Sequence, residues 1–159
     1  ARWTAEQIST EDADWLASLP LRIEVEDFTM VHGSPRDPVW EYVVSVPVAA
    51  VSFQHFTTMR CLVGHSHVPF LCVTGQDGPK FLEFRLDDPV PLGDERMIVN
   101  PGGVGQPRDG DPRESYAVYD SDDGTVAHFR AEYDIQTTQN KMEEYGLPKY
   151  LADRLSEGR

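Results

Sequence analysis

Apolar and charged residues alternate from Leu21 to Val25 (Leu, Arg, Ile, Glu, Val), and Phe28-Thr29-Met30-Val31-His32 follows the acidic pair Glu26-Asp27. This period of two, interrupted by charge, predicts two short antiparallel strands joined as a hairpin. The hairpin runs out into a Gly33-Ser34-Pro35 loop and leaves His32 at the end of a strand. Ahead of it, Thr4 with Gln7 and Ser9 with Asp12 are cap signals for an opening helix that Pro20 stops. Residues 46–56 carry apolar positions at helical spacing, and residues 60–64 read as a short buried strand that leads into His65-Ser66-His67. Segments 70–74 and 81–86 flank Gly75-Gln76-Asp77-Gly78-Pro79 and read as a second hairpin. Residues 97–100 form a strand entering a loop of glycine and proline, and 115–120 pairs with 125–133 across Ser121-Asp122-Asp123-Gly124. The tail predicts a helix over 135–144, stopped by Gly146, and a short helix begun by Pro148. The hairpins and late strands are expected to lie mainly in one sheet whose inner face needs a covering layer.

The 159 residues show no repeat, low-complexity stretch or linker, so a single domain over 1–159, or part of one, is expected. Seven Phe, six Tyr and three Trp supply a core without disulfide staples. Cys61 and Cys72 have apolar neighbours that suit reduced, buried thiols in a cytoplasmic protein. No apolar run approaches the ~20 residues of a membrane span. A net charge of −13 argues against an extended nucleic-acid groove or an anionic membrane as the main partner. Any phosphate chemistry must then be local, carried by metal ions or a few arginines.

Of the five histidines, His32, His65 and His67 stand at predicted strand ends beside glycines. In an extended segment residues two apart face the same side, so His65 and His67 can offer two imidazoles to one site. Neutral imidazole is the commonest ligand for transition metals; the alternative is a pair of surface histidines in a loop. His55 and His128 are expected to serve packing or surface roles. The loop Asn100-Pro101-Gly102-Gly103-Val104-Gly105-Gln106-Pro107-Arg108 lacks the Gly-Lys-Ser/Thr ending of a P-loop and precedes no helix, which excludes the usual nucleotide fingerprints. Ser34 has no G-x-S-x-G context, and neither cysteine stands in a nucleophile's setting.

Three strings, Val31 to Pro38 (VHGSPRDP), Leu62 to Pro69 (LVGHSHVP) and Asn100 to Arg108 (NPGGVGQPR), resemble in this order the C-terminal half of bacterial and archaeal calcineurin-like metallophosphoesterases of the phosphodiesterase type. The resemblance implies an α+β fold, namely the C-terminal half of a two-sheet β-sandwich flanked by helices. It also implies a dinuclear centre that hydrolyses phosphomonoesters or phosphodiesters with a metal-activated water. His32 and His65 match ligands of the second metal, and His67 matches a ligand of the first. The implied cofactors are two divalent metal ions, Mn first, with Fe, Zn, Ni or Mg as other occupants. Arg36 and Arg108 match loops near the centre and are candidates for substrate contact. The implied partners are a small phosphate-ester substrate and the remainder of the domain.

The family's earlier motifs, Asp-x-His, Gly-Asp-x-x-Asp and Gly-Asn-His, are absent, and with them the bridging carboxylate and the catalytic histidine. No catalytic residue is therefore expected in this chain, and three imidazoles alone make a poor site for two divalent ions. The expectation is that Ala1 begins within the domain, the missing N-terminal half being supplied by another chain or its covering layer by homo-oligomerisation. Two other readings are a non-catalytic metal-binding or interaction module and a mononuclear three-histidine protein similar to cupins. The second lacks the glutamate that cupins place shortly after H-x-H, since Val68-Pro69-Phe70-Leu71 stands there.

Overall fold

The structure is a computed structural model describing residues 2–159. Two short helices, α1 (Arg2–Gln7) and α2 (Thr10–Ser18), open the chain. The predicted single helix is broken because Ser9 caps the second piece: its Oγ accepts from the Asp12 N–H at 3.0 Å. Then come β1 (Arg22–Val25), β2 (Phe28–Val31), α3 (Val46–Ser52), β3 (Arg60–Leu62), β4 (Phe70–Val73), β5 (Lys80–Leu82) and β6 (Val90–Pro91). The remainder is β7 (Met97–Asn100), β8 (Glu114–Asp120), β9 (Thr125–Ala131), α4 (Ile135–Glu144), α5 (Lys149–Asp153) and a 3₁₀ turn at Arg154–Glu157.

Six strands form one sheet in the order β1-β2-β3-β7-β4-β5, and three form a second in the order β6-β9-β8. The fold is thus α+β with two sheets. This corrects the expectation of one main sheet, because the hairpin β8–β9 leaves the larger sheet and supplies its covering layer from within the chain. Strands β4 and β7 read as unbroken apolar runs, which suits strands covered on both faces. Phe70, Cys72 and Ile98 join Ala49 and Phe53 of the α3 region in one core, while Leu71, Met97 and Val99 meet Phe84 and Val126 in the other. Neither sheet closes on itself, so the cupin-like barrel is not what forms.

Strands β2, β3 and β7 run parallel to one another; β1 pairs antiparallel with β2, β4 with β7, and β5 with β4. The crossover from β2 to β3 passes through α3, as a parallel pair requires. The carboxyl ends of the three parallel strands therefore open at one edge of the sheet. His32 follows β2, Val63-Gly64-His65 follows β3, and Pro101-Gly102-Gly103 follows β7. That edge is where open sheets with parallel strands place their ligands.

Candidate metal centre

Of the three histidines the sequence singled out, the fold brings His32 and His65 into direct contact. His32 Nε2 lies 2.9 Å from His65 Nδ1, with the rings edge to face at a centroid separation of 4.7 Å. The Gly64 N–H donates to the His32 carbonyl at 2.9 Å, which ties the two strand ends to each other. The His65-Ser66-His67 segment is not extended, contrary to expectation. His65 and His67 both adopt left-handed backbone, with φ of 60° and 57°, and the Ser66 N–H bonds back to the Gly64 carbonyl at 2.6 Å. Such conformations cost non-glycine residues roughly 1–3 kcal/mol each and persist where the surroundings over-determine them.

Asn100 is the over-determining group. It is 1% exposed at the end of β7 and donates from Nδ2 to the Gly64 carbonyl and to Ser66 Oγ, both at 2.9 Å. Its Oδ1 accepts from the Gly102 N–H at 2.9 Å, so one side chain clamps the histidine turn to the glycine loop. Sequence reasoning gave Asn100 no role; its one signal is a polar residue closing the apolar run Met97-Ile98-Val99. The loop then frames His67. The Gln106 carbonyl lies 2.6 Å from His67 Nδ1, and because a carbonyl only accepts, Nδ1 carries the proton and Nε2 is left with a free lone pair. A Cβ at Gly103 would sit 3.1–3.3 Å from the His67 ring and Cβ, so the bare backbone there permits the contact.

Burial, followed by the charge of neighbouring His32, pushes His65 below the usual imidazole range, with Arg108 and His67 acting in the same direction and the Trp40 carbonyl opposing. His65 is thus held neutral and able to donate a lone pair. Arg108 passes its N–H to the His67 carbonyl at 3.2 Å and donates from Nη2 to Gln106 Oε1 at 3.0 Å. Its Nε is buried and, among the described residues, has no hydrogen-bond partner. Arg36 is engaged differently: it forms an ion pair with Glu41, whose Oε2 also accepts from Ser34 Oγ at 2.5 Å. That pairing holds the 34–41 loop together, with the Arg36 side chain partly exposed. His55 is exposed, while His128 is 4% exposed within the second sheet, a surface and a packing position respectively.

The chain therefore presents two imidazole nitrogens converging at a strand edge. Among the described residues no group of three or more His, Cys, Asp and Glu side chains is disposed to hold an ion.

No family model matches the chain. An uncharacterized protein of Methanocaldococcus jannaschii, MJ0912, is 36% identical over 165 residues, covering 99% of this chain and 64% of that protein. A metallophosphoesterase from Sphaerobacter thermophilus, known from its crystal structure, is 43% identical with a TM-score of 0.91, covering 99% of this chain and 65% of that one. A hypothetical protein from Pyrococcus horikoshii OT3, PH1004, shares the fold at a TM-score of 0.75 and 19% identity, over 99% of this chain and 58% of its own. The chain thus spans less than two thirds of the length of each. With its histidine-bearing strand ends, its clamped glycine loop and this likeness across 99% of its length, the chain is similar in sequence and fold to part of a metallophosphoesterase, as its resemblance to the calcineurin-like family implies.

Proposed function

We propose that this chain carries the histidine side of a dinuclear centre that hydrolyses phosphate esters, with His32 and His65 on one divalent ion and His67 on the other. The observation that supports this most directly is the convergence of His32 Nε2 and His65 Nδ1 at 2.9 Å, at the carboxyl ends of parallel strands. The donor set fits such ions in part: three imidazoles suit a transition metal such as Mn, Fe, Ni or Zn, whereas Mg prefers oxygen. Carboxylates to bridge two ions come from outside these residues, from the rest of the domain or from a second chain. When bound, the ions supply polarisation of the phosphoryl group and a water of lowered pKa.

The residues of this chain do the positioning. The carbonyl of Gln106 fixes the His67 tautomer and leaves its Nε2 as the ligating atom. Asn100 holds the two left-handed histidines against the glycine loop, and Arg108, with an unpaired Nε, meets a phosphate oxygen as a charge-assisted donor. Arg36 takes part only if an incoming anion displaces Glu41.

Isothermal titration of this chain with MnCl2 or ZnCl2 tests the reading directly. At least one equivalent is expected to bind and to raise the melting temperature, as any ligand of the native state does. His32→Ala and His65→Ala are expected to lose that binding and His67→Ala to weaken it. A wild-type chain that takes up neither metal overturns the proposal.

A further inference from the structure

From Trp40 to Val44 the chain alternates between solvent and interior. Trp40 is 75% exposed, Tyr42 42% and Val44 62%, whereas Val43 is 2% exposed and the Glu41 side chain 17%. The segment, which leaves the turn at residues 38–40, thus presents an apolar outer face. The segment belongs to neither sheet. It is nonetheless firmly held: Asp37 Oδ1 accepts from the N–H groups of Val39 at 3.2 Å and Trp40 at 3.0 Å, and Glu41 is gripped by Ser34 and Arg36. Ser34, fully buried, also accepts from the N–H groups of Arg36 and Asp37.

This rigid apolar face begins at the candidate centre. The Tyr42 ring stacks on His65 at a centroid distance of 4.0 Å and 17° between planes. An exposed indole on a pinned segment loses little conformational entropy when a flat group stacks on it, and two large aromatic faces beside an anion-seeking site form a two-part receptor.

Resting on the phosphoesterase reading, we propose that Trp40 and Tyr42 form a shelf for the organic part of the substrate, so that the site favours phosphate esters bearing a planar aromatic or heteroaromatic group. The phosphate lies toward His32, His65 and Arg108, and the ring extends outward over Trp40. Tyr42 acts twice, since it also braces the His65 ring.

The test compares phenylphosphonate with methylphosphonate, two non-hydrolysable anions that differ in the ring, by isothermal titration of the full chain with Mn2+ present. Phenylphosphonate is expected to bind roughly 3- to 10-fold more tightly. Trp40→Ala should bring the two affinities together, and Trp40→Phe should keep most of the gap. Circular dichroism of both variants, whose altered side chain is exposed, should match the wild type. Equal affinities in the wild type, or a gap that survives in Trp40→Ala, overturn the shelf and leave the phosphoesterase reading standing. Binding of neither anion overturns both. Concentration-dependent dimerisation in sedimentation velocity that Trp40→Ala abolishes also overturns the shelf, because the face would then be a contact between copies.

Discussion

Gly102 has φ of 87°, and a Cβ there would lie 2.2 Å from Ser115 Oγ and 2.6 Å from Ser115 Cβ. Left-handed backbone and a steric clash combine at this position, so Gly102→Ala is expected to cost about 2–4 kcal/mol, read from urea unfolding. Ser115 stands there because it serves a second partner: its Oγ lies 2.6 Å from the Pro101 carbonyl and 2.8 Å from His128 Nε2, while His128 Nδ1 lies 3.1 Å from the Phe84 carbonyl. Both carbonyls only accept, so filling all three hydrogen bonds at once takes two ring protons, whereas a neutral ring leaves the hydroxyl proton to choose between Pro101 and Nε2. Burial lowers the His128 pKa below its ordinary value, and nearby Arg130 acts in the same direction, against the Phe84 carbonyl, Asp109 and Asp87. As pH falls below about 6.5 the unfolded chain takes up this proton before the folded one, so stability should fall with pH in that window. His128→Gln is expected to flatten that part of the profile, measured as urea midpoints between about pH 5 and pH 8. Asp111 acts lower on the scale, because its hydrogen bond to Arg113 holds it at about 2 and its stabilisation is lost only as pH falls below about 4. His32, His65 and His67 stood out in the sequence because glycine and proline surround them, whereas the network of His128 did not, since its partners come from distant segments.

At the scale of elements, the hairpins and the helix α4 were legible because each is built from neighbours in sequence: α4 runs from Ile135 to Glu144 as its pattern predicts, capped by Asp134 at the Thr137 N–H. The two-residue strand β6 carries too short a pattern to be read, and its pairing with β9 spans more than thirty positions. The insertion of β7 between β3 and β4 was equally invisible, although it creates the site edge by aligning three parallel strand ends. Asn100 joins those ends, so Asn100→Leu, which keeps the volume but removes three hydrogen bonds, is expected to destabilise by about 2–4 kcal/mol. The same variant should also relax the left-handed turn at His65 and His67. Backbone amide exchange at residues 64–68 and 102–103 checks this, with faster exchange expected there than in β8 and β9.

At the scale of the molecule, the second sheet covers the first through Val126 on Leu71, Met97 and Val99, and Phe84 from the segment between β5 and β6 completes that core. A cavity of about 290 Å³ remains between the sheets, lined by apolar residues that include Phe28, Met30 and Leu62. No helix among the described residues is long and apolar enough to cross a membrane. The net charge of −13 is spread over this small body, and self-repulsion among exposed carboxylates opposes compaction. Salt shortens the range of that repulsion to about 10 Å at 0.1 M, so raising NaCl from about 20 to about 200 mM should increase the melting temperature. An unchanged or lower melting temperature would show that ion pairs such as Arg130 with Asp109 outweigh the repulsion.

Sequence alone determined what rests on local chemistry: the helix caps, the hairpin turns, the reduced and buried cysteines, and the three histidines and glycine loop that carry the family resemblance. The cysteines illustrate the point, since burial raises Cys61 to about 12 and Cys72 to about 11, as their apolar neighbours suggest. The division of strands between two sheets, the left-handed turn that aims His65 and His67, the Asn100 clamp and the placing of Tyr42 on His65 came from tertiary packing alone. Each of these depends on contacts between residues tens of positions apart, and no local pattern encodes which distant backbone group will fill a buried hydrogen bond.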